Sequence, residues 1–114
     1  MTTFSLFVKM KAKPGKEKDV EDFLRQAQSL VKEEPGTAAW FAIKFGPQEF
    51  GIFDAFHDED ARNAHLNGKV AAALIAKASD LFAEPPTIMK ADVLASKLPT
   101  IDHAQTASPQ RRAG

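Results

Sequence analysis

The sequence contains no cysteine and no tyrosine among its 114 residues. Without cysteine the chain can form no disulfide, no thiolate metal site and no cysteine nucleophile, which fits a reducing compartment such as the cytoplasm. Basic and acidic residues cancel to a formal net charge of zero, so no global charge draws the protein toward nucleic acid or an anionic membrane. No apolar run approaches the roughly 18 residues of a membrane span, and the apolar start is too short to be a signal peptide. These absences indicate a cytoplasmic protein whose partners recognise shape and apolar surface.

The length of the chain sets the number of domains. With 44% hydrophobic residues, the sequence holds enough apolar side chains for one core and too few for two. We therefore expect one domain over residues 1–98. The segment over residues 99–114 is poor in apolar residues, which predicts a flexible C-terminal tail unless a partner or a neighbouring subunit orders it.

The first half of the sequence predicts a strand, a helix and a hairpin. Apolar residues alternate over residues 3–11, with the period of a strand, and recur at three- and four-residue spacing over residues 16–33, as in an amphipathic helix. Residues 37–45 and 49–56 are rich in aromatic and β-branched residues and flank a tight-turn sequence, which predicts a hairpin. Both faces of this hairpin are partly apolar. We expect helices to cover one face and a second copy of the chain, or a ligand, to cover the other.

A second helical region should follow the hairpin. Asp58 is a good N-cap, because its carboxylate can accept hydrogen bonds from the free amides of the next turn. Asn67-Gly68 should interrupt the helix, a further helical piece follows over residues 70–82, and residues 87–94 predict a last strand. This order of elements is that of the ferredoxin-like split βαββαβ fold, an α+β class with an antiparallel four-stranded sheet backed by helices.

The stretch that follows the third strand carries the most specific pattern in the chain. Phe56 ends the strand, acidic residues 58–60 begin the helix, and His65 follows Ala61 by four residues. Together with the Pro-Gly pair between the first helix and the second strand, the segment FHDEDARNAHLNGKVAAAL resembles the antibiotic biosynthesis monooxygenase family. The resemblance covers residues 4–94. It implies a homodimer of the dimeric α/β-barrel type, in which two sheets pack face to face.

The resemblance also implies an activity, because the family is related to quinol monooxygenases. Some members oxidise quinols or polycyclic phenols with dioxygen and use no metal or organic cofactor, which requires a dry apolar cavity and a base for the phenolic proton. His65 is the candidate base, since an imidazole exchanges protons near neutral pH. The candidate substrate-binding residues are Trp40, Phe41, Phe53 and Phe56, as aromatic walls, and Asn63, as a hydrogen-bonding group.

Several of these residues also have a purely structural interpretation. His65 lies on an otherwise small and apolar helix face, where a core or interface histidine bonded to a backbone carbonyl would fit equally well. Trp40 would also serve in sheet packing, and most of the phenylalanines belong in the core. His57 should be exposed in the helix-entry loop, and His103 belongs to the tail. No HxH or ExxH spacing occurs, so we expect no metal site.

Other functions are compatible with the same order of elements. The lack of tyrosine excludes a mechanism that depends on a tyrosine hydroxyl, and the first strand has no asparagine of the kind that the haem-degrading branch of the superfamily uses. The RNA-recognition module shares this fold order, but Gln48 and Glu49 stand where it has a basic residue and a glycine, and Asp54 adds negative charge, so we expect no nucleic-acid partner. A non-enzymatic stress-responsive or ligand-binding homodimer, and an isomerase of a small carbonyl compound, stay open.

Overall fold

The structure is a computed structural model and describes residues 3–98. Its strands are β1 (Phe4–Lys11), β2 (Thr37–Lys44), β3 (Glu49–Phe56) and β4 (Thr87–Asp92), and its helices are α1 (Glu17–Val31), α2 (Glu59–Leu66) and α3 (Lys69–Leu81). All neighbouring strands are antiparallel, in the order β2-β3-β1-β4. This is the ferredoxin-like arrangement, so the predicted fold class is confirmed; within one chain the sheet is open rather than closed into a barrel. The predicted tail over residues 99–114 lies outside the described residues.

One face of the sheet packs against the helices and forms the core. The even-numbered residues of β1 and β3 lie on this face, where Val8 pairs with Ile52 and Met10 with Phe50. They pack with the helical core residues Val20, Leu24, Leu74 and Leu81. Burying side chains of this size stabilises a fold by about 1.5–3 kcal/mol each. A slip of one residue in register would move the whole set to the other face, which is why the register is well specified.

The opposite face of the sheet is also apolar, and no helix among residues 3–98 covers it. Phe7 pairs with Phe53, which in turn pairs with Phe41, so three aromatic side chains stand side by side across the sheet. Phe45 packs edge-on against Phe7. The exposed fractions of Phe41 and Phe45 are 51% and 56%. We call this surface the open sheet face; it is the second apolar face that the sequence predicts.

Helix α2 is held in place at its first turn. The Oδ1 atom of Asp58 accepts a hydrogen bond of 2.8 Å from the backbone amide of Ala61, as the N-cap prediction requires. Gly36, in the loop after α1, lies so close to α2 that a Cβ atom there would fall 2.6 Å from the Cβ of Ala61. The buried guanidinium of Arg62 donates to the carbonyls of Ser5 and Ala91 at 3.3 Å each. These contacts fix α2 against both the sheet and the loop after α1.

Candidate active site around His65

His65 lies on the inner side of α2, held between two carboxylates. Its Nδ1 atom donates a hydrogen bond of 2.6 Å to Oε1 of Glu34, and its Nε2 atom lies 3.0 Å from Oδ2 of Asp54. The ring also packs against Phe56, with centroids 5.3 Å apart. Ionised carboxylates only accept hydrogen bonds, so ring nitrogens that face them carry protons. The partners of the histidine are therefore two acids, and neither is the backbone carbonyl considered from sequence.

Asp54 is the innermost member of this Asp54–His65–Glu34 array. It is fully buried on β3, at a core-facing position between Leu6 and Trp40 of the neighbouring strands. Burial raises the pKa of the Asp54 carboxyl, and the adjacent His65 offsets only part of that rise. Neither carboxylate oxygen has a well-aligned hydrogen bond within the described residues, so the 3.0 Å contact with Nε2 of His65 acts by electrostatic attraction. A charge at this depth is costly without a partner, and Asp54 therefore depends on His65.

Glu34 is the outermost member of the array, in the loop after α1. Its side chain is 21% exposed, against 8% for that of His65. Its Oε1 atom accepts a second hydrogen bond of 2.7 Å from the hydroxyl of Thr37, which fixes the orientation of the carboxylate. Burial lowers the pKa of His65, but its close contacts with the carboxylates of Asp54 and Glu34 outweigh burial and leave the pKa raised. The two carboxylates therefore favour the charged form of the imidazole.

A cleft of about 560 Å³ opens beside the exposed end of this array. It lies between the loop after α1 and helices α2 and α3, and Glu34 and His65 both line it. Its other lining residues include Leu30, Glu33, Thr37, Asp60, Gly68 and Lys69. The volume is in the range of small-molecule sites, roughly 300–1,000 Å³. The array and the cleft together form a space where a bound molecule would meet a proton-accepting group.

Two of the predicted substrate-binding residues lie at a different cleft. Trp40 and Phe41 line a space of about 340 Å³ between α1 and β2, together with Leu24 of the helix. Trp40 also packs against the core, and its indole nitrogen Nε1 is buried with no hydrogen-bond partner within residues 3–98. In the chain as described, these two aromatic side chains do not wall the cleft at His65.

The other three predicted residues are also dispersed. Phe53 lies on the open sheet face, Phe56 lies fully buried behind the His65 ring, and Asn63 is exposed on α2. Phe56 is thus the one predicted substrate-binding residue in aromatic contact with His65. His57 is exposed, as predicted, and His103 lies outside the described residues.

The two carboxylates of the array are not among the residues predicted from sequence. Asp54 has a signal in the sequence, because it falls on the same alternation as Phe50, Ile52 and Phe56 and is therefore an acid at a core-facing position. Such a position calls for a cationic or protonated partner. Glu34 has no comparable signal, since it stands among charged residues at the end of a helix.

Neither a metal site nor a membrane-spanning helix is found among residues 3–98. No group of three or more histidine, aspartate and glutamate side chains in this range is arranged to hold a metal ion. No helix in the same range has the length and apolar character needed to cross a membrane.

The chain is similar to a known protein family and to solved structures. Residues 3–77 match the antibiotic biosynthesis monooxygenase family. A structure of a protein of unknown function from Nitrosomonas europaea is 56% identical, with a TM-score of 0.86, and the match covers 88% of this chain and 97% of that one. None of the curated proteins with which the sequence was compared matches it.

More distant structures share the fold alone. A protein from Pseudomonas aeruginosa is 20% identical, with a TM-score of 0.71 over 83% of this chain and 97% of its own. A candidate antibiotic biosynthesis monooxygenase from Caulobacter crescentus is 18% identical, with a TM-score of 0.72 over 82% of this chain and 92% of its own.

Proposed function

Because the chain belongs to the antibiotic biosynthesis monooxygenase family, we propose that it is a cofactor-independent monooxygenase that oxidises a quinol or polycyclic phenol with dioxygen. The observation that supports this most directly is the Asp54–His65–Glu34 array at the edge of the cleft. A base beside a space of this size is what the proposed chemistry requires of the protein. His65 is the centre of this proton-accepting group.

The proposed reaction begins when the phenolic oxygen of the substrate loses its proton. The resulting anion is electron-rich enough to reduce dioxygen; one oxygen atom then enters the substrate and the other leaves as water, with all of the electrons supplied by the substrate. The protein has to accept the proton and stabilise the anion. The His65 imidazolium, oriented by two carboxylates, provides a fixed positive charge near the cleft for the second task.

Oxygen uptake by the metal-free protein, with a panel of hydroquinones and anthrone-like phenols, tests this proposal. His65→Ala alone would leave Asp54 buried without a counter-charge, at a cost of about 3–5 kcal/mol. The informative variant is Asp54→Asn/His65→Gln, which removes both charges and roughly keeps the volume. Because losing one group that stabilises a developing anion costs about 10²–10³-fold, we expect uptake to fall by about 100-fold or more.

The matched control is His57→Gln, which changes an exposed histidine outside the array and should keep wild-type uptake. If the folded wild-type protein consumes no oxygen with any member of the panel, the proposed oxygenase activity is contradicted. That result would favour a ligand-binding homodimer or an isomerase of a small carbonyl compound.

We also propose that the protein is a homodimer in which two open sheet faces pack together. Two observations support this: the exposed aromatic side chains of Phe41 and Phe45, and membership of a family for which the sequence resemblance implies paired sheets. The cytoplasmic location expected from the sequence stays a prediction.

A further inference from the structure

We infer that Glu34 is the member of the array that takes the proton from the phenolic substrate, with His65 acting behind it; this inference rests on the proposed function. Nδ1 of His65 faces Oε1 of Glu34 at 2.6 Å, and Nε2 faces Oδ2 of Asp54 at 3.0 Å. An imidazole that faces carboxylates on both sides has no free lone pair to offer a ligand. The more exposed carboxylate of Glu34 is the part of the array that a bound phenol would meet.

The two oxygens of Glu34 have different surroundings. Oε1 accepts hydrogen bonds from both His65 and Thr37. Oε2 lies toward Gly68, where a Cβ atom would fall 3.6 Å from it, and Gly68 lines the same cleft. Among the described residues no hydrogen-bond donor is assigned to Oε2. This oxygen is therefore the proton acceptor that the array presents to the cleft.

The charge of the array favours this transfer. With His65 protonated, two carboxylates and one imidazolium give a net charge of −1. When Oε2 accepts a proton, the array becomes neutral, the substrate O–H bond breaks, and its electron pair stays on the substrate oxygen as a phenolate. The imidazolium then stands one carboxyl group away from the new anion and compensates its charge. His65 acts through Glu34 and is a positioning residue.

The neighbouring residue supplies a matched control. Glu33 lines the same cleft, and its exposed carboxylate pairs with Lys69 at 3.8 Å. Glu33→Gln and Glu34→Gln therefore remove the same charge from the same cleft, and only Glu34→Gln changes a group in contact with His65. The difference between these two variants isolates the role of Glu34.

The test measures ionisation of a bound phenol without turnover. 4-Nitrophenol, whose phenolate is coloured, is added under nitrogen at a pH below its own pKa, and binding is followed separately by calorimetry. We expect wild type to show the phenolate band on binding, and Glu33→Gln to lose much less of this band than Glu34→Gln. Glu34→Gln should bind with a Kd within about threefold of wild type and show at least a tenfold weaker band.

The positioning role of His65 has its own readout. In Asp54→Asn/His65→Gln, Glu34 still accepts the proton but lacks the imidazolium behind it, so the pH dependence of the phenolate band should shift to higher pH. An unchanged pH dependence in this double variant, or a band fully lost there and kept in Glu34→Gln, would overturn the inference, as would wild-type protein that fails to ionise the phenol.

Oxygen uptake separates this inference from the proposed oxygenase. If the phenol is ionised in a Glu34-dependent way but no member of the panel causes oxygen uptake, the role of Glu34 as the base is supported and the proposed oxygenase activity is contradicted. If Glu34→Gln shows wild-type oxygen uptake, the proposed oxygenase activity is supported and the inference that Glu34 is the base is overturned.

Discussion

At the residue scale, His65 couples the candidate site to the stability of the fold. Burial lowers the pKa of His65, but the neighbouring Asp54 and Glu34 raise it overall above its ordinary value of 6.5. The charged imidazole therefore stabilises the folded state fully below the unfolded-state pKa of about 6.5, and this stabilisation is lost as pH rises through the folded-state pKa. We expect the free energy of unfolding of the wild type to fall upward of pH 6.5, by about 1.4 kcal/mol for each pH unit between the two pKa values.

Urea denaturation between about pH 6 and about pH 9, a range that includes the ordinary histidine pKa, checks this slope. Histidine NMR gives the folded-state pKa directly. Glu34→Gln should bring the pKa of His65 below its wild-type value and narrow the pH range over which stability falls, because one of the two charges that raise the pKa is gone. His57→Gln should keep the wild-type slope. A wild-type profile that stays flat above pH 6.5 would show that the imidazole is not held charged.

Residues of the candidate site could be predicted from the sequence only where a local pattern shows on which side of a helix or strand a side chain lies. The four-residue step after Ala61 predicts that His65 faces inward, and His65 does lie buried on the inner side of α2. Its contact with Glu34 joins residues 31 positions apart, and no local pattern encodes such a pairing. The prediction that the aromatic residues wall one substrate cavity has a weaker physical basis than the prediction for His65. Strand alternation already puts Phe53 and Phe56 on opposite faces, so these two could not line one cavity of a single sheet.

At the scale of elements, the site depends on how closely the loop after α1 approaches α2. Gly36→Ala would place a methyl group 2.6 Å from the Cβ of Ala61 and push the two segments apart. We expect a loss of about 1–3 kcal/mol in the free energy of unfolding, as for other overpacked sites, together with lower oxygen uptake. Gly46→Ala is the control, because a Cβ atom there meets nothing within 4 Å.

A double variant tests whether this steric contact is the cause. Gly36→Ala/Ala61→Gly removes the opposing methyl group, so its free energy of unfolding should exceed the value expected from adding the two single losses. Simple additivity would mean that Gly36 matters for its backbone freedom and not for its contact with Ala61.

The elements themselves were the most predictable part of the molecule, because each carries its own periodicity. Glu49–Phe56 forms β3 with the bounds that the sequence predicts, and the helix break at Asn67-Gly68 appears between α2 and α3. The last strand ends at Asp92, two residues before the predicted end. Strand ends depend on pairing, and β4 pairs with β1 only as far as Phe4 opposite Asp92.

At the scale of the whole molecule, the two faces of the sheet have separate tasks. The helix-covered face holds the core and the array, since Asp54 points to that side with Ile52 and Phe56. The open sheet face carries exposed aromatic side chains and no member of the array. Two apolar faces could be predicted from the alternation of β2 and β3, whereas the occupant of the second face depends on another molecule and is not encoded in the periodicity of one chain.

The homodimer can therefore be tested apart from the chemistry. Size-exclusion chromatography with light scattering should give about twice the chain mass of 12.4 kDa for the wild type. Phe41→Asp should give the single-chain mass, because it would bury an unpaired charge between two sheets. Ile75→Asp is the matched control: this side chain is 70% exposed on α3, away from the open sheet face, and its replacement should leave the dimer intact.

A monomeric wild type at micromolar concentration, or a Phe41→Asp variant that stays dimeric, would contradict this interface. Because the array lies on the helix side of the sheet, monomeric Phe41→Asp should still ionise bound 4-nitrophenol. Loss of ionisation together with the dimer would instead mean that the partner copy completes the site, and the cleft of one chain would then be only part of the substrate pocket.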